Sequence, residues 1–192
     1  YKTKQKAKIR NRSKRNKQTK KKAKQSRKSK NSKNSKNSKT EKKDMDMRQI
    51  LCFGDSNTYG LIPGTANRYS WGTRWTSILD EKLQFYGYRV AEEGLCGRTT
   101  MFADAYRPGR SGIDMLPAIL ETHRPLELVV LMLGTNDCKA AYETTPEKIG
   151  VGIERLLDQI WREREDLPVL LISPIHLGAD VEKYDRELTA VP

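Results

Sequence analysis

Three short stretches of this 192-residue chain hold groups able to act on a carbonyl carbon. The first is Gly54-Asp55-Ser56-Asn57-Thr58-Tyr59-Gly60, where a Ser hydroxyl directly follows an apolar run and can serve as a nucleophile. The second is Glu93-Gly94-Leu95-Cys96-Gly97-Arg98-Thr99-Thr100, whose glycines allow bare backbone close to a ligand, so that an N–H there can donate to an oxyanion. The third is Gly134-Thr135-Asn136-Asp137, in which a side-chain amide can donate to developing negative charge. Taken singly, each has a plainer reading. The first is a strand-to-helix turn, the second a glycine turn, the third an Asn-Asp turn capping the next segment. The first loop lacks the Gly-Lys of a Walker phosphate loop. It also lacks the Gly two residues after Ser of a nucleophile elbow, since Thr58 stands there. A phosphate-cradling loop made by Ser56, Thr58 and Gly60 stays open.

Such groups act together only if rigid elements hold them. Ile50 to Phe53 is a continuous apolar run ended by Gly54 and reads as a buried parallel strand. Trp75, Ile78, Leu79, Leu83 and Tyr86 come next at helical spacing, with Gly87 as the stop. Tyr88 to Ala91 reads as a second strand. Ile113, Leu116, Ile119 and Leu120 mark a helix in which Pro117 is expected to be tolerable only near the first turn. Leu128 to Leu133 is the strongest strand. Thr145-Pro146-Glu147 starts a helix, with Ile149, Ile153, Leu156, Leu157 and Ile160 as its buried stripe. Val169 to Ile172 is a fourth strand stopped by Ser173-Pro174, and Asp180 to Leu188 is expected to begin another helix. Alternating strands and helices imply a parallel sheet covered on both faces. Ligands of such sheets bind beyond the carboxyl ends of the strands, where all three loops fall.

In this order and spacing the three loops resemble the SGNH (GDSL-type) hydrolase superfamily. The phrases Ile-Leu-Cys-Phe-Gly-Asp-Ser from Ile50, Glu-Glu-Gly-Leu-Cys-Gly-Arg-Thr-Thr from Glu92 and Met-Leu-Gly-Thr-Asn-Asp from Met132 are similar to its arylesterase and acyltransferase branch. The resemblance covers residues 48–192. It implies a three-layer α/β/α sandwich with a flavodoxin-like parallel sheet, and acyl-group hydrolysis or transfer from small carboxylic esters through an acyl-enzyme. By position it makes Ser56 the nucleophile and assigns the oxyanion hole to the Ser56 N–H, the Gly97 N–H and the Asn136 amide. Asp55 and Asp137 become loop-holding residues. Tyr59, Trp71 and Met101 are pocket-wall candidates, with core packing as their other reading. No metal and no cofactor are implied.

The family's Asp-x-x-His, source of the general base, occurs nowhere in this chain. His123, in a Thr-His-Arg-Pro stretch ending a helix, reads as a capping residue. His176 follows the fourth strand, where the reading of a base at the active face stays open, although Ser173, not a carboxylate, stands three residues before it. The expectation is therefore a domain incomplete at its C-terminus, its last strand and helix missing, strand four uncovered as an edge and esterase activity nearly absent.

Composition divides the chain. Residues 1–43 hold 21 of the 37 Lys+Arg and a single acid, Glu41, whereas 44–192 hold 16 basic residues and 23 acids. The first segment, rich in Lys, Asn and Ser, cannot bury enough apolar surface to fold and reads as a disordered basic tail. It is a polyanion or nucleic-acid tether, a solvated tail without a role, or a non-native leader. Residues 44–192 read as the hydrolase-like domain. Two other classes stay open: a flavodoxin-like phosphate or nucleotide-binding module, and a polyanion-binding protein acting through the tail. Cys52, Cys96 and Cys138 form no CxxC pair and are expected as buried thiols in a reducing, cytoplasmic compartment. No window suits a membrane span. A homo-oligomer is compatible with the sequence.

Overall fold

The computed structural model describes residues 47–183 and 185–188; the basic segment 1–43 and its expected disorder lie outside them. Strand β1 (Arg48–Gly54) pairs in parallel with β2 (Tyr88–Gly94) on one side and β3 (Leu126–Met132) on the other, and β3 pairs in parallel with β4 (Val169–Leu171). The order β2-β1-β3-β4 puts the two most apolar strands at the centre.

Side-chain alternation along those central strands decides the layers. Ile50, Cys52 and Val130 face Trp75, Leu79 and Leu83 of helix α2 (Trp75–Gln84). Leu51, Phe53, Val129 and Leu131 face the other way, onto Leu116 and Leu120 of α3 (Gly112–Thr122) and Leu156 and Ile160 of α4 (Pro146–Glu163). Each such buried side chain stabilises the fold by about 1.5–3 kcal/mol relative to exposure. The result is an α/β/α sandwich with a four-stranded parallel sheet. One further short helix, α1 (Ser56–Tyr59), starts directly beyond β1.

Local chemistry sets the start of α4 as the sequence leads one to expect. Thr145 caps α4 through Oγ1, which accepts the Lys148 N–H, and Pro146 opens the helix. Buried Asp80 of α2 accepts the Val90 N–H at 2.8 Å, stapling that helix to β2.

Several expectations need correction. Tyr86 lies past the end of α2 and, with Phe85, is exposed, because the helix closes at Gln84 and the turn to Gly87 carries both rings away from the sheet. Strand β2 runs on to Gly94, since pairing with β1 continues to Gly54. Pro117 sits in the second turn of α3, not the first. The Ile113 carbonyl that it leaves without an i+4 donor accepts from Gln159 Nε2 of α4 at 2.8 Å, which replaces the hydrogen bond that proline cannot make. Where a helix from Asp180 to Leu188 is expected, the described residues hold a 3₁₀ turn at Val181–Lys183. Leu188 instead bridges Lys139, and the Glu187 carbonyl accepts the Ala140 N–H at 2.9 Å; this pairing draws the segment out of helix. Among the described residues β4 is an edge strand, with Leu170 and Leu171 about half exposed at 51% and 49%.

Candidate active site

The loops after β1, β2 and β3 leave the same edge of the sheet because all strands are parallel. Strand β1 ends at Gly54, and buried Asp55 caps α1, its Oδ1 accepting the Asn57 N–H at 2.9 Å and Asn57 Nδ2 at 3.3 Å. Ser56 is the first residue of α1 and is partly exposed. Among the described residues neither its hydroxyl nor its N–H has a hydrogen-bond partner. Helix α1 lies hard against β2: a Cβ on Gly94 would stand 2.1 Å from the Tyr59 nitrogen. Glycine there is a condition for placing Ser56.

The second loop turns at Leu95-Cys96-Gly97-Arg98, closed by the Arg98 N–H donating to the Leu95 carbonyl at 3.0 Å. Gly97 has φ +83°, a left-handed value open to glycine at little cost. Arg98 is buried. Its Nη1 donates to the Gly54 carbonyl at 3.0 Å and to that of Glu93, and its guanidinium stacks 4.1 Å from the Phe53 ring centroid. Burial pulls its pKa down to about 10. Arg98 thereby ties the ends of β1 and β2 together.

The third loop is a 3₁₀ turn, Thr135–Cys138. Asn136 Nδ2 donates to the Arg98 carbonyl at 3.0 Å, which fixes the amide and leaves its second N–H uncommitted. Asp137 is fully buried and accepts the Thr100 N–H at 3.0 Å on both oxygens, with the Thr100 hydroxyl at 2.5 Å. Burial raises its pKa to about 6, the Thr100 hydrogen bonds opposing and the Asp55 charge adding. Asp55 is also raised by burial, with its Asn57 hydrogen bonds opposing. Hydrogen bonds therefore link all three loops, through Arg98 and through the Asp137–Thr100 contact.

The wall candidates fall into two groups. Tyr59 and Trp71 lie under Arg68 and Arg74, whose guanidinium carbons are 4.6 and 5.4 Å from the ring centroids. Both arginines bind Glu92 of β2, at 3.1 and 2.8 Å, and Thr76 also donates to it. Burial by itself would raise the Glu92 carboxyl, but the Arg74 and Thr76 hydrogen bonds hold it below its ordinary range. Met101 belongs elsewhere: its Sδ accepts from Arg155 of α4 at 3.8 Å.

His123 caps α3, its Nδ1 2.9 Å from the Ile119 carbonyl, and its Nε2 lies 3.4 Å from Glu93. His176 is exposed. Neither is hydrogen-bonded to Ser56. Of the cysteines, Cys52 is buried, with burial pushing its thiol up to about 12, while Cys96 and Cys138 are only half-buried. Arg98, Thr100 and Glu92 do not stand out individually in the sequence. Their one signal there is membership of the phrase around Gly97, since a buried arginine and a surface arginine read alike.

No helix among the described residues is long and apolar enough to cross a membrane. No match arises among curated proteins. Residues 52–191 match the model of the GDSL-like lipase/acylhydrolase family. Among solved structures, the chain is similar to the inhibitor-bound aryl esterase of M. smegmatis, at 35% identity over 73% of this chain and 74% of that one, TM-score 0.65. It is similar to Est24, a carbohydrate acetylesterase from Sinorhizobium meliloti, at 35% identity over 73% and 72%, TM-score 0.64. It is also similar to AlinE4, an SGNH-hydrolase family esterase, at 25% identity over 73% and 66%, TM-score 0.52. The chain belongs to the GDSL-like lipase/acylhydrolase family of ester-hydrolysing enzymes.

Proposed function

We propose that residues 44–192 act on small carboxylic esters through an acyl-enzyme on Ser56. The observation that carries this reading is the linkage of the three loops through Arg98, whose Nη1 holds Gly54 beside the nucleophile loop and whose carbonyl holds Asn136. The Ser56 oxygen adds to the ester carbonyl carbon, and the carbonyl π-electrons move onto oxygen. That oxyanion is met by the N–H groups of Ser56 and Gly97 and the free N–H of Asn136. Collapse breaks the bond to the alcohol, which leaves with the proton lost by Ser56. Water then resolves the acyl-enzyme. Asp55 and Asp137 hold the loops and touch no reacting atom.

Similarity to a carbohydrate acetylesterase supports a short acyl group. Tyr59 and Trp71 supply aromatic surface on the nucleophile side. A fluorophosphonate tests the reading. It should label Ser56 in the whole chain and leave Ser56→Ala unlabelled; equal labelling of both would refute it, and purification with bound flavin or nucleotide would favour a phosphate-binding module.

A further inference from the structure

The turn that carries Gly97 can face two ways. Its central peptide joins Cys96 to Gly97. A positive φ at the third residue marks a type II turn, which differs from type I by rotating that peptide through roughly half a revolution. Because a trans peptide directs its C=O and N–H to opposite sides, the same rotation would reverse the Gly97 N–H. Whatever grips the Cys96 carbonyl therefore decides where that N–H is aimed.

Arg110 grips it. Its Nε donates to the Cys96 carbonyl at 3.2 Å, and its Nη1 donates to the Pro108 carbonyl at 2.9 Å. Its own backbone is anchored next to the turn: the Arg110 carbonyl accepts the Thr99 N–H at 2.9 Å, and Ser111 bridges Thr99. Three guanidinium groups surround this turn and differ in use. Arg98 commits its Nη1 to the Gly54 and Glu93 carbonyls. Arg107 closes the Cα side of Gly97, 3.1 Å from where a Cβ would stand, and is paired with Asp104 at 2.9 Å. Arg110 alone of the three holds the turn's central carbonyl, and among the described residues it has no carboxylate partner.

We infer that Arg110 is a positioning residue for the oxyanion hole: it locks the Cys96–Gly97 peptide in one orientation and polarises it. A cation bonded to a peptide carbonyl strengthens the N–H of the same unit as a donor, by the cooperativity of hydrogen-bond chains. The strengthened N–H matters when charge develops on the substrate oxygen, so the effect belongs to turnover and not to ground-state binding. This role rests on Gly97 being an oxyanion donor, as the proposed function has it.

The experiment is steady-state hydrolysis of p-nitrophenyl acetate by the full chain, with Ser56→Ala and Asn136→Ala run beside Arg110→Gln and Arg110→Lys. Arg110→Gln should lower kcat on the order of tenfold, short of the roughly 10²–10³ for outright loss of a donor, with KM little changed. Arg110→Lys, which retains a charged donor, should recover most of the loss. Should Arg110→Gln fail to fold, the affinity of Arg110→Lys and wild type for a boronic acid, which forms an anionic tetrahedral adduct, decides instead. The two should agree within a few-fold, and an equal collapse of adduct and acetate affinity in Arg110→Lys would overturn the inference. Unchanged kcat in Arg110→Gln while Asn136→Ala is impaired overturns it and leaves the proposed function standing, as does a parallel change of kcat and KM. Full activity in Ser56→Ala overturns the proposed function itself.

Discussion

The side-chain amide of Asn136 donates to the main-chain carbonyl of Arg98 across 3.0 Å, joining the loop after β3 to the loop after β2. One of the two amide hydrogens is thereby spent on orientation. The other is held in a fixed direction without cost at the moment of reaction, which is the condition for electrostatic stabilisation of an oxyanion. Asn136→Ala should lower ester turnover by roughly 10²–10³ while thermal melting changes little. Loss of folding in place of loss of turnover would show that the amide serves only the loop.

Gly97→Ala tests the left-handed turn. A Cβ at φ +83° costs about 1–2 kcal/mol, and it would press on Arg107 at 3.1 Å. The expected outcome is a drop in Tm of roughly 2–8 °C together with slower fluorophosphonate labelling of Ser56. Unchanged labelling would separate the turn from the chemistry.

Asp137 gives a pH dependence whose sign is set by burial. Its carboxyl titrates at about 6 in the fold, against about 3.9 when unfolded. The fold prefers the protonated form, so the group's contribution is fully present below about pH 4 and is lost as pH rises through about 6. Asp137→Asn removes the titration. Urea midpoints should therefore shift in favour of the variant, relative to wild type, as pH climbs from about 4 to 7. A constant gap across that window would refute the assignment.

Pro117 and Gln159 form a compensating pair. Gln159→Ala should leave the Ile113 carbonyl unpaired and destabilise by about 1–3 kcal/mol. In a Pro117→Ala background the new N–H can donate to that carbonyl, and the cost of Gln159→Ala should shrink. Since Pro117 is exposed, its replacement leaves no cavity. A double-mutant cycle by chemical denaturation measures the coupling; additive effects would show that the two residues do not share the carbonyl.

The loops that hold Ser56 and Asn136 were legible because each sits at the end of an apolar run, and the Gly97 loop through its glycines and the phrase around them; runs, caps and helical stripes are local patterns. Their placement on one edge came from strands that must be parallel. Boundaries were less legible. Tyr86 continued the helical spacing of Trp75, Leu79 and Leu83, yet chain reversal at Gly87 ended α2 before it. Pro117 broke a local rule that a side chain from another helix repaired.

From the sequence by itself came the order of elements, the three loops at the strand ends and the family they resemble, all properties of residues near one another along the chain. The tertiary structure alone decided what aims those loops. Arg98 on Gly54 and Asn136, Arg110 on Cys96, Asp137 on Thr100 and Gln159 on Ile113 are contacts between residues distant in the chain. A buried polar group takes whichever partner the packed layers bring within hydrogen-bond reach, and spacing along the chain carries no record of that choice.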